Sequence, residues 1–143
     1  MKRKTEWPEI LIAEIEAARE RPFSFGRHDC CIFAANIVRA MTGVDLMKGL
    51  RRYRSAASAA RIMRRAGHER LVAMITSVMR EHGCTSVRPS LARRGDVVMA
   101  KVSIDGGATE WAAGICVGRE AVFASDGLVF LTMSEIERAW RCG

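Results

Sequence analysis

Phe23-Ser24-Phe25-Gly26-Arg27-His28-Asp29-Cys30-Cys31 runs without a break into an apolar stretch with helical spacing: Ile32, Phe33, Ala34, Ala35, Ile37, Val38, Ala40 and Met41. Asp29 stands where a helix cap belongs, because a short carboxylate accepts amide hydrogens that the first turn leaves unpaired. Gly43 supplies the left-handed residue that closes the run. The spacing therefore predicts a helix that opens on a cysteine. A cysteine in the first turn lies at the positive end of the backbone dipole. That position favours thiolate over thiol, and the thiolate is the nucleophile.

Upstream, Pro8 suits a first helical position, and Ile10, Leu11, Glu14, Ile15 and Ala18 keep helical spacing until Pro22. Downstream, residues 44–49 read as a loop. Ser55 caps a third helix that continues through Ala66 and ends at Gly67. A fourth runs from about Glu69 to His82, with Leu71, Val72, Ile75, Val78 and Met79 on one side. Beyond Gly83 the period changes. Pro89 and Arg94-Gly95-Asp96 precede a strand at 97–102, and Asp105-Gly106-Gly107 signals a turn. Residues 111–117 read as a buried strand, Gly118-Arg119-Glu120 turns the chain into 121–124, and Asp126-Gly127 marks a hairpin into 128–131. Ser134 is read as the cap of a short last helix ending near Trp140. Helices followed by a small antiparallel sheet make the class α+β. One domain over 1–143 is expected, helical over 1–83 and mainly β over 84–143, with the short C-terminal helix.

The composition supports a packed core. Of 143 residues, 49 % are apolar and 27 % charged, which excludes a disordered chain. No apolar run approaches the roughly 18 residues that span a bilayer, and no apolar signal segment follows the basic start Met1-Lys2-Arg3-Lys4. The five cysteines, Cys30, Cys31, Cys84, Cys116 and Cys142, are odd in number and lack metal-ligand spacing. They are expected as reduced thiols of a chain made in a bacterial cytoplasm, with neither metal nor cofactor.

Charge is unevenly placed. Residues 47–94 hold twelve Lys and Arg against Glu69 and Glu81, a net +10 within an overall +7. Such asymmetry points to an anionic neighbour. Arg51, Arg54, Arg61, Arg64, Arg65 and Arg70 are the candidate partner-binding residues, because helical periodicity gathers several on one face. The alternative is a set of solvated helix faces: only Tyr53 interleaves with the arginines as a stacking platform would.

Three motifs resemble the NlpC-type cell-wall peptidases, a papain-like family. Phe25-Gly26-Arg27-His28-Asp29-Cys30 matches the family's aromatic-Gly stretch leading to Asp-Cys at a helix start. Gly95-Asp96-Val97-Val98 matches its first strand. Ala112-Ala113-Gly114-Ile115-Cys116-Val117-Gly118 matches a strand that in the family begins with histidine. The resemblance covers roughly 23–131. The short, Arg-rich form also resembles small proteins encoded near tail genes in phages, prophages and gene-transfer-agent clusters, a likeness that extends to Phe23, Thr42-Gly43-Val44-Asp45, Tyr53 and Trp140.

The resemblance implies a papain-like fold with N-terminal helices packed on a small antiparallel sheet. It places Cys30 at the nucleophile position, Ala112 at the position of the catalytic histidine, and Phe123 or Ser125 at the third, polar position. Of the histidines, His28, His68 and His82, only His28 is near Cys30 in sequence, as a surrogate base or as a brace for the loop. Cys30 itself is either a nucleophile or a small buried residue at a tight junction. Cys31 is expected in the core. Asp29 is read as a cap, Asp96 as the brace of a turn, and Gly26 and Gly114 as backbone devices. Trp111 either fills the space of a cleft or belongs to the core. The function expected is a catalytically degenerate NlpC-like domain serving as a structural or assembly part of a phage-type tail tip. Its partners would be other tail or assembly proteins, and it would be carried in the virion. One alternative is an active cysteine peptidase or amidase on peptidoglycan, with the Cys30 and Cys31 amides holding the oxyanion. The other is nucleic-acid binding through 47–94.

Overall fold

The computed structural model describes residues 1–103 and 108–143, so the turn read at Asp105-Gly106-Gly107 lies outside the described residues. Four helices come first: α1 (Trp7–Ala18), α2 (Cys30–Thr42), α3 (Ala56–Arg65) and α4 (Leu71–Glu81). Six strands follow: β1 (Thr85–Val87), β2 (Val97–Ser103), β3 (Thr109–Cys116), β4 (Glu120–Ser125), β5 (Gly127–Thr132) and β6 (Arg138–Arg141). They form one antiparallel sheet in the order β1-β6-β2-β3-β4-β5. The chain is α+β.

Local chemistry sets the helix ends. Asp29 Oδ1 accepts the Ile32 amide at 2.9 Å, and Gly43 closes α2 with φ +84°. Ser55 and Ser58 form a reciprocal capping box at the start of α3. Helix α2 buries Ile32, Phe33, Ala34, Ala35, Ile37, Val38 and Met41, and so packs on nearly every side. Burying one such large side chain is worth about 1.5–3 kcal/mol, which makes α2 the element the others gather round. Helix α3 buries none of its residues fully and touches the core only through Ala59 and Ile62.

Strand alternation divides the core into two layers. Val97, Met99, Ala113, Ile115 and Val122 face the helices, while Val98, Ala100, Ala112, Cys116 and Phe123 face the other way. Ile136, Val87, Ala92 and Met133 cover that second face. Gly114 fits the crossing of β3 and β4 because a Cβ there would strike the Val122 carbonyl and the Phe123 ring.

The C-terminal helix expected from Ser134 does not form. Residues Met133–Glu135 make one 3-10 turn and the chain then enters β6. The slot between β1 and β2 offers backbone partners on both sides, and Trp140 buries its ring opposite Val97. Pairing and burial outweigh a local capping signal.

The expectation of five reduced thiols is also corrected. Cys84 and Cys142 form a disulfide with Cα atoms 4.6 Å apart. The β1–β6 register, Thr85 opposite Arg141, sets them directly across from each other one step further on. The β6 end is fixed a second time by Asp96, which is fully buried. Its carboxylate accepts from Arg3 Nη2 at 3.0 Å, Arg141 Nη2 at 2.9 Å and the Arg93 amide at 2.8 Å. Asp96 thus braces its turn as expected and also ties the N-terminal segment to β6.

Denatured without reductant, the chain should titrate three thiols, those of Cys30, Cys31 and Cys116, and five after reduction. By the chain-entropy relation a loop of this size is worth up to about 4 kcal/mol. The Cys84→Ser/Cys142→Ser variant should therefore unfold about 2–4 kcal/mol more easily in a denaturant titration.

Candidate functional site

The Asp29 carboxylate builds the site. Besides capping α2, its Oδ2 accepts the Gly26 amide and the Tyr53 hydroxyl, each at 2.7 Å. Burial, and then the charge of Asp29, push the Tyr53 phenol far above its ordinary pKa, so it stays a donor. Gly26 has φ +81°, and a side chain there would collide with the Tyr53 carbonyl. One buried carboxylate therefore joins the loop before α2, the first turn of α2 and the loop before α3. Tyr53 is the partner that a reading of local signals misses.

Cys30 is the first residue of α2 and is half-buried against the layer that holds Ala112 and Phe123. Strands β3 and β4 separate beside it. Cys116 exchanges backbone hydrogen bonds with Gly95 and Asp96 on the β2 side. Alternation then turns the Ala113 N–H away from β2, toward β4. The β3–β4 pairing stops at Ile115 opposite Val122, so Ala113 has no partner strand there. Its N–H instead helps hold the Cys30 thiol below its ordinary pKa.

The Cys30 and Cys31 sulfurs lie 3.9 Å apart. A hydrogen bond from the Cys31 thiol is the first cause holding the Cys30 thiol below its ordinary pKa. The Ala113 and Cys31 amides act the same way, and burial opposes them. Cys31 lies well above its ordinary value, first through its hydrogen bond with Cys30 and then through burial. Cys31 packs on the helix-facing layer and lines a small apolar cavity with Ala34, Met47, Met79 and Ala113.

His28 braces the loop. Its ring is 3 % exposed, and Nε2 donates to the Gly127 carbonyl at 2.8 Å. A carbonyl only accepts, so Nε2 carries the proton. The Arg21 carbonyl accepts from Gly127 N–H and Asp126 Oδ1 from Phe23 N–H, so the whole segment clamps the β4–β5 turn. Among the described residues no imidazole bonds to the Cys30 sulfur. Ser125 is exposed at the hairpin tip, with no side-chain hydrogen bond among the described residues. Trp111 follows Ala113 on the helix-facing side, held between Lys101 at 5.2 Å and Arg138 at 5.6 Å from its ring. It closes the end of the core.

The structure divides the six candidate arginines. Arg51 is not free for a partner: it grips Asp45 with two bonds, of 2.9 and 2.8 Å, and holds that carboxyl below its ordinary range. Arg54 donates to the Tyr53 carbonyl at 2.7 Å. Arg61, Arg64, Arg65 and Arg70 are exposed and have no carboxylate partner among the described residues. No helix among the described residues is long and apolar enough to cross a membrane.

A family model described as a domain of unknown function, DUF6950, matches residues 2–142. No curated protein matches the chain.

Iodoacetamide should label Cys30 with a midpoint below that of an ordinary thiol. Cys31 should stay unlabelled until higher pH, and Cys31→Ala should move the Cys30 midpoint upward by removing the donor thiol. Mass mapping of the labelled peptides over a pH series reads all three. Tyr53→Phe, which takes one donor from a buried carboxylate, should cost about 1–3 kcal/mol in a denaturant titration.

Proposed function

The chain belongs to the DUF6950 family, and we propose that it is a catalytically degenerate NlpC-like domain that serves as a structural or assembly component of a phage-type tail tip. The observation that carries this reading is the alanine at 112, where the resemblance calls for histidine, beside a cysteine with no imidazole partner. Amide cleavage needs a base for the thiol and then an acid for the departing amine. The donors around Cys30 lower its pKa and so ease the first step. The amine still needs a proton, and His28 is committed to Gly127. What remains is a scaffold: an anchored cysteine helix, a sheet, and a basic flank led by Arg61, Arg64, Arg65 and Arg70. That flank docks an acidic partner within the assembly.

The lowered Cys30 pKa favours a second reading, a cysteine peptidase or amidase on peptidoglycan in which another chain supplies the base. The two readings part on Cys30. In the scaffold reading Cys30→Ser leaves particle assembly intact, while Arg61→Glu/Arg65→Glu lowers incorporation about tenfold or more with unchanged circular dichroism. Release of muropeptides by the wild-type chain or by assembled particles, lost in Cys30→Ser, would overturn the scaffold reading. A loss of DNA binding in the arginine variant, with assembly untouched, would assign the basic flank to nucleic acid.

A further inference from the structure

The acidic surface that matches the basic flank lies on this chain itself. Residues 5–20 carry Glu6, Glu9, Glu14, Glu16 and Glu20 against a single Arg19. Glu6, Glu9, Glu16 and Glu20 are exposed. Arg19 is bonded to Glu16 at 2.8 Å, and no other glutamate of this group has a cationic partner among the described residues. Helix α3 carries Arg61, Arg64 and Arg65 and no acid. No ion pair joins α1 to α3 within the chain among the described residues.

Each helix carries its charges on an exposed face. Glu9 and Glu16 stand seven residues apart on α1, and Arg61 and Arg65 four apart on α3. Steps of seven and of four return to one helix face. Between Glu9 and Glu16 the exposed face of α1 carries Ile12, 54 % exposed and one of the few large apolar side chains left to solvent. The exposed start of α3 carries the small residues Ala56 and Ala57.

We propose that the acidic partner is a second copy of this chain, with α3 of one copy laid along α1 of the next. The inference rests on the docking role given to the basic flank above. The two faces differ, so the contact is heterologous: each pairing leaves one acidic and one basic face open, and assembly continues head to tail into a ring or a filament. Exposed ion pairs are individually weak and screened by salt, so the association is reversible and strongest at low ionic strength.

Sedimentation velocity on the full chain tests this. At about 20 mM salt the wild type should form species larger than a dimer, and at about 0.5 M salt it should be a monomer. Arg61→Ala/Arg65→Ala and Glu9→Gln/Glu16→Gln each remove one face and should each be monomeric alone. Mixed one to one, they should form a heterodimer and nothing larger, because only one complementary pair of faces remains. A wild type that stays monomeric at low salt overturns the inference, as does either variant that still self-associates like the wild type. Immobilised polyglutamate separates the two levels of the reading. Salt-sensitive capture that needs Arg61 and Arg65, from a wild type that stays monomeric, overturns self-association and leaves the basic docking flank standing. No capture and no self-association remove both.

Discussion

A single buried carboxylate, that of Asp29, meets three segments of chain that have no other reason to converge. A charge taken out of water is tolerated only where donors replace the lost solvent, and here the donors are the Ile32 and Gly26 amides and the Tyr53 hydroxyl. The start of α2, and with it the direction of the Cys30 side chain, follows from that arrangement. Gly26 is required by the same contact, since the loop must press its backbone against Tyr53 to reach the carboxylate. The His28 clamp on the β4–β5 turn then holds this loop against the far end of the sheet.

The features legible in the sequence are those whose causes lie within a few residues. Asp29 reaches the amide three residues on, Gly43 closes the same helix by its own backbone angle, and Ser55 with Ser58 caps α3. Strand pattern and the Asp126-Gly127 turn likewise place β4 and β5 from local chemistry. Where distant residues decide, sequence is silent or misleads. Ser134 carries a sound helix signal, yet residues 138–141 are drawn into the sheet by partners in β2, about forty positions away, and in β1, more than fifty away. Cys84 and Cys142 are 58 residues apart and meet only because β6 runs beside β1. Arg51 belongs to a basic run in sequence but to Asp45 in space.

The candidate site has the same mixed character. A cysteine at a helix start can be read from the sequence, and so can the alanine at 112. That β3 and β4 part beside Cys30, freeing the Ala113 amide for the sulfur, depends on where strand pairing ends, which no local pattern encodes. The same holds for the contact between Cys30 and Cys31, whose adjacent side chains meet at their sulfurs while they pack on opposite layers. The result is a cysteine whose thiol is held below its ordinary pKa, with no imidazole bonded to it among the described residues.

The cross-strand disulfide also has a mechanical meaning. It closes residues 84–142 into a covalent ring that contains every strand. A pull applied at Met1 and Gly143 can peel away α1 to α4, but it meets the ring at Cys84 and passes through the sulfur bond to Cys142 instead of through the sheet. At about 3.3–3.6 Å per extended residue, the oxidised chain can lengthen to roughly 280–300 Å, against roughly 470–510 Å once reduced. The sheet is thus a sealed link: under tension the helices yield and the strands bear no load.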